Sequence, residues 1–201
     1  MFSRKGLLQT WRDIRPYFIF SVILFFAGVV VGATSGSDEW IQTQLRALAE
    51  MAKKAQNSDN PQMTLFVTIL VNNLKSSLTA MYLGIVAAIA PLVTLALNGI
   101  VMGYLFGVYA DHGENVWLLI AKGILPHGIF ELPAIFLACA FGIRLGATLL
   151  KGLFGALLGK KEPWGALART AAGTVPALIL IAAMLLVAAV IESTVTPWLL
   201  S

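Results

Sequence analysis

Two ionisable residues lie in the middle of a stretch that otherwise has the composition of membrane interior. The segment Pro126-His127-Gly128-Ile129-Phe130-Glu131 places an imidazole and a carboxyl group four residues apart. Ionisable side chains are costly inside a bilayer and normally face a partner or a water-filled cavity there. The pair therefore predicts a site at membrane depth, and its residue types suit ion binding, proton relay or acid-base chemistry.

Three asparagines add polar groups to the apolar stretches, namely Asn72, Asn73 and Asn98. One interpretation is that Asn72 and Asn73 form hydrogen bonds between helices, worth roughly 0.6–2 kcal/mol each. The other is that the asparagines complete an oxygen-rich or proton-relay cluster with His127 and Glu131. We expect no metal and no cofactor, because one histidine and one glutamate are too few ligands for a zinc site.

A structural interpretation of the histidine-glutamate pair stays open beside the functional one. In it, Glu131 caps the N-terminal end of a half-helix, where a carboxylate is stabilised by exposed amides and the helix dipole. His127 is then neutral and hydrogen-bonded to that carboxylate. Glu192, near the outer end of the last apolar stretch, is expected to be wetted and is given no functional role. No residue is assigned as catalytic.

The composition is that of a polytopic membrane protein. Of its 201 residues, 58% are hydrophobic and only 12% are charged, whereas a soluble domain carries about 25% charged residues. The net charge of +4 therefore indicates membrane orientation rather than nucleic-acid binding. The single cysteine, Cys139, excludes an internal disulfide.

Apolar stretches predict an all-α fold with five membrane spans. Pro126, Gly128 and Pro133 predict a broken helix, which is tolerated at membrane depth where protein buries it or where it lines a cavity. Pro91 and Asn98-Gly99 are the two candidate positions for the reversal between the second and third spans, and the break is expected near Pro91. The predicted spans are 17–34, 64–89, 92–110, the two half-helices 115–125 and 132–150, and 173–200.

Charge distribution predicts a single integral membrane domain, 1–201, with a cytoplasmic N-terminus and an outside C-terminus. Segment 36–62 is predicted to form an extracytoplasmic amphipathic helix, with Asp38 and Glu39 in its first turn. It is expected to rest on the outer surface or on its own spans. Segment 146–170 reads as a cytoplasmic amphipathic loop. Basic residues that place this loop inside are Arg144, Lys151, Lys160, Lys161 and Arg169.

Small residues recur at helical spacing along the third predicted span, at Gly99, Gly103 and Gly107. Gly28 and Gly32 repeat that spacing in the first span. Such stripes let two helices approach closely. They predict packing inside the bundle, with a homodimer face as the alternative.

These polar and glycine positions together resemble the stage II sporulation protein M family. The resemblance extends over roughly residues 15–200, and Pro-His-Gly-x-x-Glu at 126–131 is its most specific part. The other positions that carry it are Asn72-Asn73, Asn98-Gly99 with Gly103, and Gly142 with Gly146. It implies a multi-span membrane protein that anchors or localises peptidoglycan-degrading partners, sporulation proteins D and P, during forespore engulfment.

Three functions follow as hypotheses. The resemblance favours a non-enzymatic membrane scaffold in the cell membrane, in contact with lipid and wall hydrolases. The alternative from the residues is a transporter or channel-like protein with a buried polar site at His127 and Glu131. An intramembrane hydrolase is the weakest, because no nucleophile and no full metal shell can be identified.

Overall fold

The computed structural model describes residues 3–35 and 39–200. Within those residues the chain forms helices joined by short turns and contains no strand, which confirms the predicted all-α class. The helices are α1 (Arg4–Thr34), α2 (Glu39–Gln56), α3 (Pro61–Leu83), α4 (Ile89–Asp111), the single turn α5 (Val116–Leu118), a π-helical segment (Leu119–Ile124), α6 (Leu125–Leu157) and α7 (Gly165–Leu200).

Four helical stretches of the described chain are long and apolar enough to cross a membrane: α1, α4, the continuous run Val116–Leu157 and α7. The chain is thus a polytopic helical membrane protein. Helix α3 has 23 residues, enough to extend about 34 Å, but Asn72, Asn73 and Lys75 make it less apolar than the other four. A fifth span therefore stays a prediction.

Helices α1 and α4 pack closely and run parallel, because glycines line both of the faces that meet. Gly28 lies against Ala96 and Gly99, and Gly103 lies against Val29 and Ala33. A Cβ atom added at Gly103 would overlap the carbonyl oxygen of Val29. The predicted stripe of Gly99, Gly103 and Gly107 therefore packs against α1 of the same chain.

The reversal between α3 and α4 falls at residues 84–88, so the expected break near Pro91 was wrong by several residues. Ala87 and Ala88 have positive φ, at 50° and 61°, and form the turn. Pro91 lies in the first turn of α4. There its missing N–H removes no intrahelical hydrogen bond, so the proline favours the start of a helix.

The expected loop between two half-helices is also absent, and residues 125–157 form one α-helix. Pro126 is the second residue of α6, a position where proline is well tolerated. The irregular helical geometry lies just before Pro126, in the π-helical segment that ends at Ile124. Pro126 therefore lies where the π-helical segment passes into α6, and Pro133 is accommodated inside α6.

Helix α2 occupies most of the predicted amphipathic segment 36–62. Glu39 lies in its first turn and Lys53 and Lys54 in its last, as the helix dipole favours; Asp38 lies outside the described residues. Ile41 and Ala55 are buried, because α2 packs on α3 and α4. The sequence left two placements open for this helix, on the outer surface or on its own spans. In the structure it packs on the helical bundle.

The opposite end of the bundle carries an ion pair between α1 and α6. Arg144 Nη2 lies 2.6 Å from Asp13 Oδ2, and Arg144 is only 8% exposed. The assignment of Arg144 to a basic loop was therefore wrong, since α6 continues to Leu157. Segment 146–170 consists of the end of α6, a turn and the start of α7.

Candidate functional site: a polar cavity beneath α2

The polar residues singled out from the sequence line one cavity of about 440 Å³. Helices α3, α4, α6 and α7 form its walls, and α2 contributes Leu45, Met51 and Ala52 at its rim. Its polar lining residues are Asn72, Asn73, Asn98, His127, Glu131, Glu192 and Thr68. The rest of the lining is apolar, as in most sites that bind small ligands.

His127 lies at the centre of the polar cluster. Its Nε2 atom is 4.0 Å from Glu131 Oε2 and also 4.0 Å from Glu192 Oε2. Its other ring nitrogen, Nδ1, is 3.4 Å from the hydroxyl oxygen of Thr196. The side chain is only 13% exposed. One ring edge therefore faces α7, and the other faces two carboxyl groups.

The continuous α6 explains why His127 and Glu131 point the same way. Residues four apart in a helix share a face, and Glu131 is the seventh residue of α6 rather than its cap. The interpretation of Glu131 as the cap of a half-helix was therefore wrong. Asn73, on α3, lines the same cavity as Glu131.

Asn72 and Asn98 contribute to other parts of the wall. Asn98 donates a hydrogen bond from Nδ2 to the carbonyl oxygen of Thr94, at 2.7 Å, within α4. Asn72 lies beside Asn73 on α3 and is exposed at the cavity. The asparagines thus lie on two helices that face the histidine and the carboxyl groups.

Sequence reasoning missed Glu192 and Thr196, which α7 brings to the cluster. They are four residues apart and therefore share the face of α7 that meets α6. A signal was available, because Glu192 is the single acidic residue in the 36-residue sequence of α7. A lone carboxyl group in a strongly apolar helix normally faces the bundle interior.

Both carboxyl groups and the imidazole could hold a positive ion between them. One ligand atom each from His127, Glu131 and Glu192 can be chosen such that all three lie within 4.8 Å of one another. These groups are of the types that bind cations or exchange protons.

Comparison with known proteins identifies the family. The model of the family described as stage II sporulation protein M matches residues 21–197. The chain belongs to the stage II sporulation protein M family. The matched region contains every polar residue of the cavity, and the resemblance seen in the sequence is confirmed.

Two family relatives are uncharacterized proteins of the archaeon Methanocaldococcus jannaschii. One is 30% identical over 128 residues, which cover 63% of this chain and 66% of the relative. The other is 27% identical over 180 residues, covering 89% of this chain and 77% of the relative. No solved structure matches the chain.

Proposed function

We propose that this member of the stage II sporulation protein M family binds a small cation in the cavity beneath α2 and acts in a transporter- or channel-like manner. The observation that carries the proposal is the convergence of His127, Glu131 and Glu192, from two helices, on one cavity. Cation binding is favoured over anion binding because carboxyl and amide oxygens surround that point.

The free-energy cost of placing ionisable side chains in this cluster supports a role beyond helix packing. Two carboxyl groups and an imidazole at membrane depth are expensive, and such residues in spans usually mark ion or proton pathways. A bundle that only had to pack could use apolar side chains at these positions. The glycine contacts between α1 and α4 already provide tight packing without polar groups.

Flux measurements in proteoliposomes test the proposal. Wild-type protein, reconstituted with proton- and metal-sensitive dyes inside the vesicles, is exposed to separate gradients of H⁺, Na⁺, K⁺, Mn²⁺ and Zn²⁺. We expect flux of at least one cation above that of empty vesicles, and its loss in Glu131→Gln. The control variant is Glu162→Gln, which changes an exposed carboxyl group in the turn before α7.

The variants are first matched for thermal stability. Each flux result then supports or contradicts a cation pathway through the cavity. Flux in wild type and Glu162→Gln, but not in Glu131→Gln, supports a cation pathway through the cavity. Wild-type vesicles that match empty vesicles for all five cations would refute the transport proposal. Equal flux in all three proteins would show that the pathway does not use this cluster.

A second function is favoured by family membership and by the exposed helix α2. As a scaffold, the protein would anchor or localise peptidoglycan-degrading partners, such as sporulation proteins D and P in sporulating relatives, or a second copy of itself. Helix α2 carries exposed side chains, among them Trp40 and Arg46. Both side chains are accessible to a partner.

Co-purification separates the scaffold from the cation pathway. Wild type, Glu131→Gln and Arg46→Glu are solubilised in the same detergent, and the proteins that accompany each are identified. A wall hydrolase retained by the first two and lost with Arg46→Glu supports a scaffold built on α2. No hydrolase in any sample, with the wild type folded, counts against it.

A further inference from the structure

We propose that His127, Glu131 and Glu192 form a binding site for one divalent transition-metal ion. This inference deepens the proposed function, because it names the class of cation that the cavity takes. The sequence alone offered one histidine and one carboxylate, too few ligands for a metal. The fold adds Glu192 of α7 as a third ligand, so the number of ligands no longer argues against a metal ion.

The donor atoms already lie close to the positions that a metal requires. Zinc binds nitrogen and oxygen ligands at about 2.0–2.2 Å, so donors around a tetrahedral ion are roughly 3.4 Å apart. Here His127 Nε2 is 4.0 Å from an oxygen of each glutamate. Side-chain movements of about 1 Å would bring all three atoms onto an ion, without moving the helices.

Neighbouring groups orient the ligands in the way that metal sites require. A metal-binding histidine normally donates its second ring N–H to an oxygen, which fixes the tautomer that presents the other nitrogen to the ion. The hydroxyl oxygen of Thr196 lies 3.4 Å from His127 Nδ1 and can accept that hydrogen. The Asn73 amide lines the same cavity as the Glu131 carboxyl group.

Charge balance favours a divalent ion over a monovalent one. Two ionised carboxylates and a neutral imidazole carry a charge of −2, which an M²⁺ ion neutralises. Neutrality matters here because an uncompensated charge is expensive at membrane depth. The mixed nitrogen and oxygen ligands suit zinc, manganese, iron or cobalt better than calcium or magnesium, which prefer oxygen alone.

Three protein ligands leave a coordination position open toward the cavity. Such an open position is typical of sites where the metal exchanges a water molecule or a substrate, whereas closed structural sites have four protein ligands. An ion held this way can enter and leave. That property agrees with a transport pathway and disfavours a purely structural metal.

Metal titration of the purified full-length protein tests the site. The protein is stripped with a chelator, then titrated separately with Zn²⁺ and Co²⁺ by calorimetry and by equilibrium dialysis with elemental analysis. Variants His127→Gln and Glu192→Gln remove ligands, and Thr196→Val removes the hydrogen-bond acceptor. The matched control is His112→Gln, which replaces the other histidine of the chain, an exposed residue after α4.

We expect one ion per chain in the wild type and in His112→Gln, and visible absorption of bound Co²⁺ typical of low coordination number. Loss of a ligand should weaken binding by at least about tenfold, and Thr196→Val by roughly tenfold. Absence of binding in the wild type overturns the proposal, as does equal affinity in His127→Gln. Variants are compared only where their unfolding temperatures match the wild type.

The cation pathway and the metal site can be refuted independently of each other. Proton or monovalent-cation flux that needs Glu131, in a protein that binds neither Zn²⁺ nor Co²⁺, would refute the metal site and leave the cation pathway. One tightly bound metal ion in a protein without flux of any tested cation would refute transport and leave the metal site. The same reconstituted preparation serves both measurements.

Discussion

At the scale of single residues, the Asp13–Arg144 ion pair shows how a charge is kept inside this bundle. The guanidinium group is nearly buried and the carboxyl side chain is 27% exposed. Removal of one partner from a buried pair costs more than removal of both, because it leaves an uncompensated charge. The pair therefore holds the N-terminal part of α1 against the middle of α6.

Asp13→Asn should lower the stability of the protein by about 1–3 kcal/mol, since a partly exposed carboxylate lies below the range for fully buried pairs. The double variant Asp13→Asn/Arg144→Met should be less destabilised than the sum of the single changes. Thermal unfolding in one detergent measures all of these proteins. Asp59→Asn, an exposed acid, is the control, and strictly additive effects would contradict a coupled pair.

The residues of the site could be predicted from the sequence only in part. His127 and Glu131 were found because an ionisable group is conspicuous in an apolar segment, and they are close in sequence. Glu192 lies more than sixty residues beyond Glu131 in the sequence, on α7, so its approach depends on how α7 packs on α6. Arg144 was misplaced because its partner, Asp13, lies at the other end of the chain.

At the scale of helices, the contact between α1 and α4 depends on the absence of side chains at a few positions. The carbonyl oxygen of Val29 in α1 occupies the space where a Cβ atom would lie at Gly103, and that of Ile100 in α4 does so at Gly32. At Gly107 the nearest atom, the Ala33 carbonyl oxygen, is 3.0 Å from such a Cβ, and at Gly128 the nearest atom is 3.5 Å away. The tolerance of these glycines should therefore differ.

Gly103→Ala should destabilise the protein by about 1–3 kcal/mol, the usual cost of extra atoms in a well-packed interior. Gly107→Ala should cost less, because a small shift relieves the contact. Gly128→Ala should be neutral or slightly stabilising, since alanine favours a helix by about 1 kcal/mol. Unfolding temperatures of the three variants test the order, and equal values for Gly103→Ala and Gly128→Ala would contradict it.

Helix α2 covers the cavity by means of a few buried side chains. Ile41 is 0% exposed, and truncation of a buried isoleucine to alanine costs about 2–4 kcal/mol. Every 1.4 kcal/mol is a factor of about ten in an equilibrium constant. Ile41→Ala should therefore raise the equilibrium constant for detachment of α2 from the bundle more than tenfold. Access of a reagent to the cavity should increase accordingly.

The labelling rate of a cysteine at Thr68, which lines the cavity, measures that opening. The background is Cys139→Ala, because Cys139 is the one cysteine of the chain. A water-soluble maleimide should react faster when Ile41→Ala is added, and at the original rate with Thr43→Ala, which alters an exposed position of α2. Equal rates in all three proteins would mean that α2 does not control entry.

At the scale of the whole molecule, composition was enough for the membrane class, and helix boundaries were harder. Prolines were the main source of error. Pro91 and Pro126 were both expected to interrupt helices. Pro91 instead lies in the first turn of α4, where a missing N–H costs nothing, and Pro126 lies where the π-helical segment passes into α6. The amphipathic α2 was foreseen from its pattern, but its position on α3 and α4 depends on tertiary contacts.

The two ends of the bundle differ in charge, and this difference predicts its orientation. Asp13 on α1 and Arg144 on α6 meet at one end, whereas α2 and the cavity lie at the other. Basic residues beside the spans favour the cytoplasm, and the end near Asp13 has many of them. They are Arg4, Lys5, Arg12, Arg15, Lys151, Lys160, Lys161 and Arg169. We therefore expect a cytoplasmic N-terminus, with the cavity in the outer half of the membrane.

Single cysteines in the Cys139→Ala background test this orientation in intact cells. Glu114→Cys, in the turn after α4, should react with an impermeant maleimide, and Lys160→Cys, in the turn before α7, should react only after permeabilisation. Both positions are exposed in the fold, so a difference reports the side of the membrane rather than burial. The reverse pattern would place the cavity and α2 on the cytoplasmic side. There α2 could not dock a cell-wall hydrolase, so this result would eliminate the scaffold function and leave the metal site intact.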